Sequence, residues 1–232
     1  MIKAIIFDFT QTLADSADGF RLAEKNVEKK IFDDLNLASW QDFLDTYRRI
    51  RSENKENSNF SRRLIWKDLY AVYQRECDEL LLGSWELEYW ETVKSHTRPF
   101  PETEDVLKNL IKKYRLGLIT NTQGRPVSET HTLTLFPQLE HFFNPVIIAG
   151  EAGMPPKPDP QPFKICLGKL ELTENQVIYV GDDWNIDMVG AINAGIQPVW
   201  IKHKLVKRNW PEVNVSMPVI TDLNQLLLLD FV

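Results

Sequence analysis

Cysteine is nearly missing: Cys77 and Cys166 are the two in the chain. They lie far apart in apolar-periodic contexts, which predicts core packing rather than a disulfide or a metal clip. Such sparse usage points to a reduced compartment, and the cytoplasm is the expected location. No stretch approaches the roughly 18 uncharged apolar residues of a membrane span. The opening apolar run, Ile2 to Phe7, is too short for a signal-peptide core and meets Asp8 at once. A basic excess is also lacking. The 27 Lys and Arg against 33 Asp and Glu give a net charge of −6, which argues against nucleic acid as a partner, since that would need a basic face to release counterions. Internal repeats and low-complexity segments are absent too. What remains, 43% hydrophobic and 26% charged residues over 232 positions, is the balance of a soluble globular protein, long enough for a core domain with a smaller insert.

Ile2 to Phe7 is short, β-branched and almost continuously apolar, as a strand buried on both faces is. Comparable runs recur at Leu116 to Thr120, Pro145 to Ile148, Val177 to Val180 and Pro198 to Ile201, with a weaker one at Val219 to Thr221. Helical patterns separate most of them. Asp105 to Tyr114 sets Val106, Leu107, Leu110 and Ile111 on one stripe, and Pro162 to Leu170 and Met188 to Ala194 behave likewise. This alternation predicts an α/β fold: a doubly wound, Rossmann-like parallel sheet. Between Leu13 and Pro99 no strand pattern occurs, and helices are expected to fill the gap. Ser39 and Asp42 open one helix, with Trp40, Phe43, Leu44, Tyr47 and Ile50 on its stripe. A second amphipathic stretch runs from Leu64 to Leu80. Trp40, Trp66, Trp85 and Trp90 belong to this insert and are expected to pack it. The expected division is a core of residues 1–14 and 97–232 and an all-helical cap of 15–96.

In open parallel sheets ligands bind outside the carboxyl ends of the strands. The first strand ends in Asp8-Phe9-Thr10-Gln11-Thr12, the second in Thr120-Asn121-Thr122, the fourth in Gly181-Asp182-Asp183 followed by Asp187, and Lys157 precedes the helix after the third. Singly, Asp8 also reads as a cap or turn residue, Asp183 and Asp187 as helix caps, and Lys157 as a solvated loop lysine. Jointly they supply what phosphoryl transfer needs. Asp8, Asp182 and Asp187 converge on one hard cation, and an all-oxygen set favours Mg²⁺ over zinc. Without a cation, clustered carboxylates repel and raise one another's pKa, leaving Asp8 a poor nucleophile. Lys157 and the Thr120 hydroxyl can hold phosphoryl oxygens, with Asn121 beside them, while Asp8 attacks in line.

These residues resemble the haloacid dehalogenase superfamily, whose four ordered motifs are matched over nearly the whole chain. The family's D-x-D-x-T is matched by Asp8 to Thr12 except at its third position. Its second motif is matched by Thr120, its third by Lys157, and its acidic fourth by Gly181 to Asp187. The resemblance implies an Mg²⁺-dependent hydrolase, phosphatase-like, passing through an aspartyl-phosphate on Asp8. It also implies a helical cap that closes over a small phosphorylated substrate and excludes bulk water. Thr10 departs from the pattern, standing where phosphatases of the family carry a second aspartate as general acid and base. The metal ligand from that position is a backbone carbonyl, which Thr10 still offers, so the implied metal set is Asp8, Thr10, Asp182 and Asp187. Gln11 likewise replaces the usual glycine.

Two other readings compete: a 2-haloacid dehalogenase, left open by a non-acidic Thr10 but leaving the fourth motif's acids without a task, and a module that binds phosphate ligands without turnover. In the cap, Arg48 to Lys67 holds seven basic residues (Arg48, Arg49, Arg51, Lys55, Arg62, Arg63, Lys67) against Glu53 and Glu56. A solvated helix face accounts for them; alternatively Arg62 and Arg63 meet a second anionic group on the substrate. Monomer and homodimer are both compatible with the sequence.

Overall fold

A computed structural model describes residues 1–56, 59, 61–121, 133, 136–150, 153–214 and 216–229, with the side chains of 55 and 56 left out. Thr122 and the side chains of Lys55 and Glu56, all named above, therefore lie outside the described residues. The chain forms two compact units. One takes Met1–Ala17 and, among the described residues, everything from Arg98 onward; the other is Asp18–Thr97.

The first unit is built on six strands: β1 (Ala4–Phe7), β4 (Arg115–Asn121), β5 (Val146–Ala149), β6 (Val177–Gly181), β7 (Gln197–Ile201) and β8 (Val219–Ile220). Their order is β5-β4-β1-β6-β7-β8, and every neighbouring pair is parallel. With β1 in the middle, Ala4 pairs with Arg115 on one side and Val177 on the other. Alternation along these strands sorts the core into two layers, because successive side chains point to opposite faces. Ile5, Phe7, Leu116, Leu118, Ile178 and Val180 pack on one face with Val106, Leu107 and Leu110 of α5 (Thr103–Leu110). Ala4, Ile6, Ile119, Val177 and Tyr179 pack on the other with Phe163, Cys166 and Leu170 of α7 (Gln161–Leu170) and Ala191 of α8 (Val189–Asn193). A further short helix, α6 (Pro137–Glu140), precedes β5. The doubly wound α/β architecture is thus present, and among the described residues no helix is long and apolar enough to cross a membrane.

Several local expectations need correction. Helix α5 ends at Leu110 rather than Tyr114, and Ile111, placed on its buried stripe, is exposed. Before α8 the chain makes a π-helical turn over Trp184–Met188. The supposed strand-free gap is bounded by two two-residue strands, β2 (Ala14–Asp15) and β3 (Arg98–Pro99), paired antiparallel. A two-residue ladder is too short to carry an alternation signal.

The second unit holds α1 (Ala17–Asp34, whose first residue belongs to the other unit), α2 (Trp40–Glu56), α3 (Arg62–Val72) and α4 (Glu79–His96). The amide of Asp42 donates to Ser39 Oγ at the start of α2, at 3.3 Å. Leu64 to Leu80 is not one stretch: α3 stops at Val72, and Asp78 begins α4 by accepting from the amides of Leu80 and Leu81 at 2.8 and 3.3 Å. Leu80 consequently projects into solvent. Trp66, Trp85 and Trp90 are buried as expected, whereas Trp40 is 39% exposed while resting edge-on against Phe32.

Inside this helical core sits a charge. Glu24 is buried and accepts from the hydroxyls of Tyr47 at 2.7 Å and Tyr89 at 2.8 Å, with Arg51 at 3.5 Å and Arg62 at 3.8 Å. Trp66 Nε1 donates in turn to the Tyr47 oxygen. Burial works to raise the Glu24 pKa, but Arg62, Arg51 and the two hydroxyls outweigh it and hold the carboxyl below its ordinary 4.5. A buried carboxylate so dependent on its partners is costly to disturb, about 3–5 kcal/mol when one side is removed. Because its folded pKa is lowered, its stabilisation is complete above the ordinary value and is lost as pH falls through the folded one. Hydrogen exchange of α1 and α3 amides should therefore accelerate as pH drops below about 4.5 after correction for the intrinsic rate, and Glu24→Gln should be faster at neutral pH and lose most of that dependence. An identical pH response in the variant would remove Glu24 as the cause.

Candidate active site

Parallel strands deliver their carboxyl ends to one edge of the sheet, and that edge is where the polar residues collect. Asp8 follows β1 directly, its amide donating to Val180 O at 2.9 Å, so the residue stays in register with β6 although the strand has ended. The chain then turns sharply. Leu13 N donates to Phe9 O, and Gln11 takes a positive φ of 64°, the conformation that the family's usual glycine adopts without strain. Thr10 is half-buried in this turn.

The organising group is the ammonium of Lys157. Its side chain is 1% exposed, and Nζ lies 2.8 Å from Asp8 Oδ1, 2.6 Å from Asp187 Oδ1, 2.8 Å from the Tyr179 hydroxyl and 3.0 Å from Ile119 O. Three N–H groups thus serve four acceptors. Desolvation works against the charge, but Asp187 and Asp8 prevail and hold the Lys157 pKa above its ordinary value. Asn121 fixes the loop that carries this lysine: its Oδ1 accepts from Lys157 N at 2.8 Å and its Nδ2 donates to Lys157 O at 3.1 Å. The amide expected at a ligand is therefore engaged with the Lys157 backbone. Thr120 is buried at the end of β4, within the same edge.

The acidic stretch after β6 divides into distinct tasks. Asp187 accepts four donors, with Lys157 and Tyr179 on Oδ1 and the amides of Asp182 and Asp183 on Oδ2. Asp183 caps the π-helical turn, accepting from the amides of Asn185 and Ile186. Asp182 is 4% exposed, and its Oδ2 accepts from Arg208 Nη1 at 2.5 Å. Gly181 is required by packing, since a Cβ there would lie 2.6 Å from Cβ and Cγ of Asp187.

Asp8, Asp182 and Asp187 each offer an oxygen within 4.8 Å of the others, and all three are buried. Burial first, and then the neighbouring Asp187, push the Asp8 carboxyl up to about 7 against the opposing pull of Lys157. The Asp182 carboxyl is pushed well up by burial and by Asp187 and Asp8, with Arg208 working against them. Three carboxylates at this spacing fit a hard divalent ion, which would hold them ionised.

Tyr179, Trp200 and Arg208 also shape this edge and were not singled out from the sequence. Trp200 Nε1 donates to Asp182 O at 2.8 Å. Tyr179 could have been noticed as the one polar-tipped residue in the apolar run Val177 to Val180; Arg208 lies in a loop with no motif to mark it. The remaining expected residues, Arg62 and Arg63, lie in the helical unit. Both guanidiniums are engaged there with buried carboxylates, Arg62 with Glu24 and Arg63 with Glu86 at 2.7 Å.

The sequence profile of the haloacid dehalogenase-like hydrolases matches residues 5–201. The chain belongs to that family. Along nearly its whole length it is also similar to a glyceraldehyde 3-phosphate phosphatase of Methanothermobacter thermautotrophicus, 29% identical over 97% of this chain and 98% of the relative. Among solved structures it resembles an HAD phosphatase from Thermococcus onnurineus, with a TM-score of 0.69 at 22% identity over 97% and 96% of the two chains. A 2-haloacid dehalogenase from Pseudomonas syringae pv. Tomato matches similarly, with a TM-score of 0.66 at 23% identity over 98% and 97%. The backbone is thus shared by proteins named for either chemistry, and this chain is a haloacid dehalogenase-like hydrolase whose full-length relative above is named a phosphatase.

Gly181→Ala should force Asp187 and its four donors apart. Crowding of this kind costs about 1–3 kcal/mol, read as a lower denaturation midpoint in urea. An unchanged midpoint would mean that Asp187 is free to move.

Proposed function

We propose that this protein is an Mg²⁺-dependent phosphohydrolase that acts on a small phosphorylated metabolite through an aspartyl-phosphate on Asp8. The name of the full-length relatives suggests a triose phosphate or a similar short phosphorylated aldehyde as the substrate class. The observation that carries the reading is the contact of one buried ammonium with both Asp8 and Asp187 beside a third carboxylate, at the carboxyl edge of the sheet.

In this reading Lys157 holds Asp8 by Oδ1 and leaves the other carboxylate oxygen to attack phosphorus in line. The P–O bond to the leaving group breaks as the Asp8 O–P bond forms. Water then attacks the phosphorus, releases inorganic phosphate and returns the Asp8 carboxylate. Lys157 works mainly by charge and orientation, since donating to a phosphoryl oxygen requires it to release one of its four acceptors. Thr120 supplies a hydroxyl donor to the phosphoryl group. A bound Mg²⁺, held by Asp8, Asp182, Asp187 and the Thr10 carbonyl, would supply further neutralisation of phosphoryl charge. We assign Arg62 and Arg63 to holding the helical unit together, because both already serve buried glutamates.

Phosphate release from glyceraldehyde 3-phosphate and from an aryl phosphate should require Mg²⁺, stop with EDTA, and fall by about 10³-fold or more in Asp8→Asn, whose amide is not an anionic nucleophile. Halide release from 2-haloacids that persists in EDTA would select the dehalogenase instead. Binding of phosphorylated metabolites without turnover would select the non-catalytic module.

Thr10 sets the rate. General acid-base catalysis is worth roughly 10²- to 10⁴-fold, and a threonine hydroxyl cannot protonate a leaving alkoxide near neutral pH as a carboxylic acid can. Alkyl phosphates should therefore turn over more slowly than aryl or acyl phosphates, which need no proton on departure. Thr10→Asp should raise alkyl turnover more than aryl turnover and shorten the lifetime of acid-trapped phosphoenzyme. Wild-type rates that are equal for alkyl and aryl substrates would overturn this role for Thr10.

A further inference from the structure

We infer that Arg208, backed by Trp210 and Trp200, positions Asp182 for the divalent cation of the acidic centre; the inference rests on the metal-dependent reading above. Two adjacent carboxylates, Asp182 and Asp183, repel each other at this edge. The guanidinium of Arg208 spans both, with Nη1 2.5 Å from Asp182 Oδ2 and Nη2 3.4 Å from Asp183 Oδ2. A planar fork suits this task, whereas an ammonium cannot present two parallel donors. With Oδ2 of Asp182 engaged by the guanidinium, Oδ1 is the oxygen left to turn toward Asp8 and Asp187.

Further contacts hold Asp182 and Arg208 in place. Asp182 is held at its backbone too, where its carbonyl accepts from Trp200 Nε1 at 2.8 Å. Arg208 stacks over Trp210, its Cζ 4.6 Å from the ring centroid. Trp210 in turn meets Trp200 edge-on, with centroids 6.4 Å apart and planes at 86°. The contacts close into a ring from Asp182 through Arg208, Trp210 and Trp200 back to Asp182. Asp182 is therefore pinned at its main chain by Trp200 of β7 and at its side chain by Arg208 of the loop after β7, both beyond the last recognisable motif. The arginine side chain stays one-third exposed, so water reaches it while the carboxylate it holds is buried.

Partners that orient a ligating carboxylate typically affect metal affinity by about 10- to 100-fold when removed. Mn²⁺ binding to the substrate-free protein, followed by the EPR signal of the free ion, should weaken by about that factor in Arg208→Gln. Arg208→Lys, which keeps the charge and loses the fork, should be weakened as well, and it carries the test if Arg208→Gln does not fold. Trp210→Leu should shift affinity in the same direction. In aryl phosphate hydrolysis the Mg²⁺ concentration for half-maximal rate should rise by the factor seen in binding, while kcat at saturating Mg²⁺ returns close to wild type. Unchanged Mn²⁺ affinity in Arg208→Gln overturns the inference, and tighter binding does so too, since it would show the guanidinium competing with the cation. If the wild-type protein binds neither Mn²⁺ nor Mg²⁺, the metal-dependent reading itself falls and takes this inference with it.

Discussion

A single buried ammonium makes the active edge possible. Removing a lysine from water is expensive, as is removing each carboxylate, and none of these groups would be tolerated there unpaired. Lys157 resolves the cost for itself, Asp8 and Asp187 together, and the surrounding residues keep it in place. Asn121 clamps its backbone, Tyr179 accepts one of its protons while donating to Asp187, and Gly181 leaves room for Asp187 to approach. The residual electrostatics are also informative. Asp8, Asp182, Asp183 and Asp187 carry four negative charges when ionised, and Lys157 and Arg208 return two. The remaining two equal the charge of one divalent ion, and burial together with mutual repulsion raises the proton affinity of Asp8 and Asp182.

How Lys157 reaches this position follows from the two-layer core. Tyr179 and Ile119 point to the face of the sheet covered by α7, and Phe163 of that helix packs edge-on against Tyr179 with centroids 5.0 Å apart. The loop entering α7 is thereby brought to the carboxyl ends of β4 and β6. Lys157 enters between them, where a strand carbonyl, a tyrosine hydroxyl and two carboxylates converge. The same alternation that builds the hydrophobic layer thus decides which strand residue can serve the ammonium. A hydroxyl at position 178 or 180 would point to the opposite face.

Much of this edge was legible in the sequence, because buried parallel strands read as apolar runs and those of β1, β4 and β6 stop at a polar residue of that edge. Asp8, Thr120 and Asp182 are all found in that way. Lys157 and Asp187 needed the order of motifs as well. What could not be read were duties set by partners distant in sequence. Asn121 was expected beside the ligand, and its clamp on the Lys157 backbone, 36 positions away, left no local trace. Tyr179 was hidden in its own strand, and Arg208 serves Asp182 from a loop with no periodicity. Leu64 to Leu80 passed as one helix because an apolar stripe continues on both sides of a break, where α3 stops at Val72, Gln74 takes a positive φ of 53° and Asp78 caps the start of α4.

The basic window of the helical unit shows the same limit in terms of energy. Read along the chain, Arg48 to Lys67 is strongly positive; in space each of its six described cations meets a carboxylate, with Glu24 serving two. Arg48 pairs with Asp45, Arg49 with Glu53, Arg51 and Arg62 with Glu24, Arg63 with Glu86, and Lys67 with Glu79. These pairs are not equivalent. Exposed ones such as Arg48 with Asp45 contribute roughly 0–1 kcal/mol and open readily to another anion. Arg62 and Arg63 serve carboxylates that are themselves buried, and withdrawing either one would strand a charge away from water, at a cost of several kcal/mol. If the helical unit recognises an anion at all, the exposed arginines can turn to it at little cost, whereas the two that stood out in the sequence are the ones the fold can least release.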